Sequence, residues 1–242
     1  MKIIKLNAID STNSFLKEMA QSGPLENFTV LVAKAQTKGR GQMGTSWISE
    51  PNKNLLCSVF VKFEDLSIAH QVFVNYAVSV AVANVLNTYK VPKISIKWPN
   101  DILSSNKKIC GLLVESVMQK GCIKSSVIGI GLNVNQINFP VNFNATSVLK
   151  ETNRETDLDV FLKDIITELK IQISFINKIP KEDLKRNYLN LLYKKHTPTM
   201  FKNSKGVLFM GKILGVSSIG KLQVELEDES LKEFGIKEIS FA

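Results

Sequence analysis

The chain has 242 residues and 44% hydrophobic content, enough for one sizeable core or a core with a small appendage. Its 31 Lys and Arg against 22 Asp and Glu give a net charge of +9, but the lysines are scattered, which favours a solvated basic surface over a dedicated nucleic-acid stripe. No apolar run reads as long enough to span a bilayer, no signal-type segment precedes the first strand, and the cysteines and histidines (Cys57, Cys110, Cys122; His70, His196) lack ligand spacing, so the expectation is buried thiols in a reducing, cytoplasmic setting.

Residues 2–9 are predicted as the first strand. Asp10, Ser11, Thr12 and Asn13 are all helix N-capping types, and a helix follows over about 14–21 until Gly23-Pro24 stops it. On spacing alone Ser-Thr-Asn is a cap; the sharper alternative is that three short hydrogen-bonding side chains line a ligand pocket. An apolar run, 30–35, leads into a long polar stretch, 36–54, and another, 55–61, leads out. A connection this long between two strands is unusual unless it binds something. Gly39, Gly41 and Gly44 spell G-x-G-x-x-G, but Trp47, Ser49, Pro51 and Asn54 follow with no helical period, so the dinucleotide fingerprint fails for want of its helix. The G-x-x-x-x-G-K-[ST] phosphate loop is absent. With Lys38 and Arg40 among the glycines, the stretch reads as an anion cradle, the alternative being a solvated surface loop.

Residues 67–89 keep a helical period and are poor in charge on the opposite face too, as in a helix buried against a sheet. A short strand is expected at 93–98, then a turn at Pro99-Asn100-Asp101, then a hairpin of 109–118 and 123–133 closed by Gln119-Lys120-Gly121. Residues 135–154 read as loop. A long amphipathic helix follows at 157–176, with Thr156 and Asp159 resembling a capping box, and a further helix at 181–194. Past Pro198 the character changes to short β-like runs split by glycines, the pattern of a small barrel. A domain boundary is placed near Thr197, giving a first domain at 1–197 and a second at 198–242.

Three polar clusters fall at strand ends: the glycine stretch, Lys97-Trp98-Pro99-Asn100-Asp101 with Lys108, Gly111 and Glu115 beyond it, and Gly129-Ile130-Gly131-Leu132-Asn133. Three such ends on one sheet point to one pocket for a polyanionic ligand. Together they make the sequence resemble the biotin protein ligases. Ser11-Thr12-Asn13 matches that family's S-T-N; Gln36 and Gly39 to Trp47 match its Gln and its G-R-G-R-x-G-x-x-W loop. Lys97 to Ile102 matches K-W-P-N-D, Lys108 to Glu115 matches K-x-x-G-I-L-x-E, and Gly129 to Asn135 matches its G-x-G-x-N strand.

The resemblance implies an α+β fold: a mixed sheet flanked by helices, of the class II aminoacyl-tRNA synthetase and biotin ligase kind, followed by an SH3-like barrel. It implies that biotin and ATP with Mg²⁺ give biotinyl-5′-AMP, and that a lysine of a biotin carboxyl carrier protein then takes the biotin. Ser11, Thr12, Asn13 and Gln36 would hold the biotin head group. Gly39, Arg40, Gly41 and Gln42 would wrap its carboxylate and the phosphate, with Gly111 also on the biotin side. Lys108 would touch both carboxyl and α-phosphate, making Lys108, Arg40 and Asp101 the catalytic set. Arg40, Gln42, Trp47, Asn100, Lys108 and Asn133 would face the nucleotide, and Asp101 would hold Mg²⁺ or help deprotonate the acceptor lysine.

Two departures from the family pattern stand out. Gln42 replaces a common Arg, which lowers the positive charge of the loop and bears on retention of the adenylate. The chain starts about ten residues before S-T-N, so no winged-helix DNA-binding domain is expected, and neither specific DNA nor a membrane is an expected partner; a monomer or homodimer is. The rival enzyme is a lipoate ligase, but its Arg-Arg-x-Ser-Gly-Gly-Gly loop is absent. The rival of another class, a basic nucleic-acid module, lacks aromatics interleaved on a basic strand face.

Overall fold

The computed structural model describes residues 2–242. A seven-stranded sheet carries β1 (Ile3–Ile9), β2 (Thr29–Gln36), β3 (Leu55–Ser67), β4 (Ile94–Lys97), β5 (Asp101–Ser104), β6 (Lys107–Gln119) and β7 (Cys122–Leu132). Their spatial order is β1-β2-β3-β7-β6-β5-β4. β1 and β2 run parallel and are joined by helix α1 (Thr12–Ser22); the remaining neighbours pair antiparallel, so the sheet is mixed, as expected.

Alternation along the long strands gives the sheet two different faces. On one, Cys57, Val59 and Val61 of β3, Cys110 and Leu112 of β6, and Ile128 and Ile130 of β7 join a large apolar cluster. Helices α2 (Gln71–Thr88) and α4 (Leu158–Lys178) supply its other half through Val74, Ala77, Val78 and Ala81, and through Phe161, Leu162, Ile165 and Leu169. On the other face Leu31, Phe60 and Val127 pack with Leu16 of α1 in a small separate cluster. Contrary to the expectation from sequence, one helix, Ile68–Thr88, is long and apolar enough by length and composition to cross a membrane. In this fold Val74, Val78, Ala81, Val82, Ala83 and Leu86 are fully buried; a helix apolar all round is what a layer between a sheet and other helices requires.

Local differences from the sequence reading have identifiable causes. Ser11 caps α1, its hydroxyl accepting from Ser14 N, so Thr12 and Asn13 belong to the first helical turn rather than to a cap preceding it. α4 is capped by Asp157, whose carboxylate accepts from Asp159 N (2.8 Å) and Val160 N (3.0 Å), and the Thr156/Asp159 box does not form. A five-residue helix, α3 (Val148–Thr152), interrupts the region expected as loop, capped by Ser147. Helix α5 (Lys181–Asn190) ends four residues early. Cys57 and Cys110 are buried as expected, but Cys122, at the hairpin end, is only half-buried.

From Pro198 a second sheet begins: β8 (Pro198–Asn203), β9 (Leu208–Val216), β10 (Leu222–Leu226), β11 (Leu231–Phe234) and β12 (Ile239–Phe241), in the order β11-β10-β9-β8-β12. All its pairs are antiparallel, consistent with the expected SH3-like module. Phe201, Val216, Leu222 and Phe234 share the apolar cluster of α2 and α5, and Trp98 Nε1 donates to Gly220 O at 3.0 Å. The small sheet is therefore welded to the large one at the turn between β4 and β5.

Candidate active site

The α1 face of the sheet changes character along its length. Register sets Leu56, Ser58 and Phe60 of β3 beside Gly131, Gly129 and Val127 of β7, and these beside Gly111, Leu113 and Glu115 of β6. At the far end the side chains shrink to hydrogen, leaving a trough. The indole of Trp47 lies in it: a Cβ on Gly131 would stand 2.6 Å from Trp47 Cε2, and one on Gly111 2.8 Å from its Cζ3. Only glycine lets the ring approach the sheet this closely. A Cβ on Gly129 would likewise collide with Asn13 Oδ1 at 2.7 Å.

The loop that delivers Trp47 is a built structure. Gly41 N donates to Thr45 O, Trp47 N to Gly39 O, and Arg40 bridges to Ser46, which closes a small hairpin over the trough. Its exit is stapled by buried amides: Asn54 Oδ1 accepts from Val134 N, and Asn54 Nδ2 and Glu50 N both donate to Gln136 Oε1. Under this hairpin is a cavity of about 290 Å³, near the lower end of the usual range for ligand sites.

One end of the cavity is neutral and polar. Thr12 N and Thr12 Oγ1 both donate to Gln36 Oε1, at 2.7 and 3.1 Å. Ser58 Oγ donates toward Thr12 Oγ1 (2.8 Å) and Asn13 Oδ1 (2.9 Å), and Ser11, Thr12, Asn13 and Ser58 are all buried. The other end carries Lys108, paired with Asp101 Oδ1 at 2.8 Å, beside Asn100, whose Nδ2 donates to Leu112 O. Lys108 Nζ stands 5.4 Å from the centre of the Trp47 ring, in cation–π range. Cys57 forms part of the wall; burial pushes its thiol up to about 12, which keeps it protonated and unreactive.

Of the residues expected at the site, Ser11, Thr12, Asn13, Gln36, Arg40, Gly41, Gln42, Trp47, Asn100, Asp101, Lys108 and Gly111 line this cavity. Gly39 lies just behind it, where a Cβ would meet Trp47 O at 2.5 Å. Asn133 does not line it either. It is buried outside the cavity with Nδ2 on Thr146 O at 3.0 Å, so the structure spends it on holding the segment after β7 and not on lining the pocket.

Arg40 lines the cavity but is turned toward Glu115, with contacts of 3.2 and 3.3 Å, and toward Ser14 Oγ. Glu115 also takes Asn13 Nδ2 at 2.8 Å and Lys17 Nζ at 3.3 Å. Burial pushes the Glu115 carboxyl up, but the hydrogen bonds from Asn13 and Arg40 and the charges of Arg40 and Lys17 outweigh it and hold it below the ordinary range. Glu115 thus orients one neutral and one cationic pocket residue at once. In the sequence Glu115 stands only within the K-x-x-G-I-L-x-E match, with no task of its own, and no motif marks Ser58. Nor does any motif mark Ile236 and Lys237, which reach the cavity from the second sheet.

No three His, Cys, Asp or Glu gather into a metal cage among the described residues. Asp101 is the cavity's single carboxylate, which suits a Mg²⁺ ion carried mainly by nucleotide phosphates and not one held by the protein alone. The Trp47 Nε1 donor is buried without a partner among the described residues. Such an orphan costs about 1–3 kcal/mol, which an acceptor atom on a bound ligand would recover.

Comparison with known proteins places this geometry. A biotin protein ligase from Aquifex aeolicus, solved in complex with biotin and ATP, superposes with a TM-score of 0.80 at 26% identity, covering 100% of this chain and 98% of that one. The bifunctional ligase/repressor BirA of Bacillus spizizenii is 28% identical over 247 residues, 98% of this chain and 71% of the relative. BirA of Escherichia coli is 33% identical over 129 residues; the match takes in 53% of this chain and 39% of the relative's length. The segment 6–133, from β1 through the last glycine strand and so containing the whole trough, matches the Biotin/lipoate A/B protein ligase family, and the chain belongs to that family.

Proposed function

We propose that the chain is an ATP-dependent biotin protein ligase, forming biotinyl-5′-AMP and passing the biotin to a lysine of a biotin carboxyl carrier protein. The observation that carries this reading is the polarity of the cavity under the glycine-loop hairpin. A neutral hydrogen-bonding end (Ser11, Thr12, Asn13, Gln36) suits a ureido head group, and a cationic end (Lys108) suits two anions brought together. The Aquifex ligase, which shares the fold over the full chain, was solved with both biotin and ATP.

The chemistry is positioning and charge stabilisation. A carboxylate oxygen of biotin attacks the α-phosphorus of ATP and the bond to pyrophosphate breaks. Lys108 offsets the repulsion between carboxylate and phosphate, and does so most in the transition state. Asp101 keeps the Lys108 ammonium in place beforehand and would hold Mg²⁺, which neutralises phosphate charge when bound. In the second step the acceptor ε-amine attacks the acyl carbon, AMP leaves and the amine loses a proton. The hairpin of the glycine loop, with Trp47 beneath it, excludes water from the mixed anhydride between the steps. With its lysines scattered along the sequence and not gathered in a stripe, the chain is expected to bind DNA only weakly and in a salt-sensitive way.

The test is ATP–pyrophosphate exchange measured separately with biotin and with lipoate, because the family spans both. Exchange with biotin and none with lipoate is expected. Exchange driven by lipoate alone would overturn the reading.

A further inference from the structure

The cavity carries three cations, and two of them are already engaged. Arg40 is paired with Glu115 and Lys108 with Asp101. The third, Lys237, comes from the turn between β11 and β12 of the second sheet, and among the described residues it meets no carboxylate. Its Nζ donates to the carbonyl of Met43 at 3.2 Å. Met43 is the left-handed residue (φ 54°) at the tip of the glycine-loop hairpin, directly after Gln42.

The turn that presents Lys237 is fixed. Gly235 N donates to Glu238 Oε2 at 2.6 Å, and Glu238 N donates back to Gly235 O. The Glu238 carboxylate is thereby kept on the backbone of its own turn. Lys237 itself sits at φ 68°, a conformation with a cost for a side-chain residue, of the kind that surroundings must enforce. Ile236, its neighbour, also lines the cavity.

We propose that Lys237 is a positioning residue supplied by the second sheet: it straps the tip of the glycine loop and adds to the pocket lip the one positive charge not already neutralised by protein. This rests on the ligase reading for its ligand, an acyl-adenylate, but the strap itself is independent of it. An anion entering the site must share Arg40 and Lys108 with their carboxylates, whereas Lys237 gives up only a neutral carbonyl. Gln42, on the same lip, contributes an amide and no charge. The second sheet is then part of the active site, retaining the adenylate until the acceptor arrives.

The experiment compares wild type with Lys237→Met, Lys237→Arg and the double variant Lys237→Met with Gln42→Arg. Two quantities are read: hydrogen exchange of amides 39–47 in the ligand-free protein, and release of biotinyl-AMP formed from biotin and ATP without acceptor. Lys237→Met is expected to speed exchange in the loop and to raise the release rate about tenfold at an unchanged melting temperature. Lys237→Arg is expected to restore both, since it keeps donor and charge. Gln42→Arg in the Met background is expected to restore retention but not loop protection, because it returns charge without the strap. Loop exchange and release both within twofold of wild type in Lys237→Met would overturn the proposal, as would an effect that tracks a fall in melting temperature and is not rescued by Arg. If wild type makes no biotinyl-AMP, the ligase reading fails by itself; the strap is then decided by loop exchange alone, and unchanged exchange overturns it.

Discussion

The two faces of the seven-stranded sheet are made by the same strands and obey opposite rules. Along β7, Ile128 and Ile130 point to α2 and α4 and are almost fully buried, while the alternating Gly129 and Gly131 present no side chain at all. Along β6, Cys110 and Leu112 alternate with Gly111, Leu113 and Glu115 in the same way. One face gains stability by filling space with hydrocarbon. The other gains a site by withholding it, so that Trp47, Asn13 and a ligand can press against bare backbone. This pocket is a place where the fold forgoes packing, so stability and chemistry should separate by residue parity.

The largest effect that would test this separation is on the packed face. Ile128→Ala removes three carbons from a fully buried position between the sheet and its helices. Transfer and cavity terms together put the cost at about 2–5 kcal/mol. Denaturant unfolding should show that loss, while the activity per folded molecule stays near wild type. A specific activity that collapses in step with stability would blur the distinction between faces.

On the open face, Lys108→Met keeps the stem and removes the charge. Loss of one charged donor from such a site costs about 3 kcal/mol, near a hundredfold in rate. Biotin-dependent pyrophosphate exchange should fall at least that far, with little change in melting temperature because Lys108 is part-exposed and its partner Asp101 remains hydrated. Adenylation within threefold of wild type would remove Lys108 from the mechanism.

How much of this was legible in the sequence follows from the range of each interaction. The glycine stretch, the strand-end clusters and the helix over 67–89 are local patterns, and they point to one pocket at the strand ends of one sheet; that the sheet is mixed is what the resemblance to the biotin protein ligases implies. What Trp47 does was not local. It depends on glycines 64 and 84 residues later meeting across one register, and a sequence shows glycines without showing what fills them. Ser58 lies inside the apolar run 55–61 with Leu56 and Phe60 on its own face, so no alternation sets it apart. Asn133 is expected at the nucleotide side only through the resemblance; the structure shows its Nδ2 donating to the backbone of Thr146, a partner 13 residues away that no local pattern announces. Lys237 carries no motif and stands 194 residues from the loop carbonyl it binds.

Gly131→Ala tests the trough itself. The added Cβ must displace an aromatic ring at 2.6 Å, and the ring belongs to the hairpin that covers the site. Overpacking of this kind typically costs about 1–3 kcal/mol. Here that cost should appear mainly as weaker ligand binding and a displaced loop, since Trp47 can leave the trough without disturbing the opposite face. Titration of biotin by calorimetry and hydrogen exchange at 39–47 would read both. Unaltered affinity would mean the ring has room that the geometry denies.

The smallest effect concerns pH and Glu115, the residue on the open face that carries charge into the sheet. Its carboxyl is held below the ordinary range because Asn13, Arg40 and Lys17 outweigh the effect of burial. A carboxyl with a depressed folded pKa contributes stability that is fully present above the unfolded value and disappears as pH falls through the folded one. The unfolded value for Glu is about 4.3, so the contribution is complete at neutral pH and is lost progressively below about pH 4. Glu115→Gln removes the titration. The variant should be less stable than wild type at pH 7 and should converge on it in acid. Lys17 and Arg40 are part-exposed, so solvent screening holds the difference under about 1 kcal/mol, and Asn13 can keep a hydrogen bond to the new amide. Unfolding curves at pH 7 and at pH 3 in each protein measure the convergence. A gap that widens in acid would show that Glu115 is destabilised, and not held ionised, by its three partners.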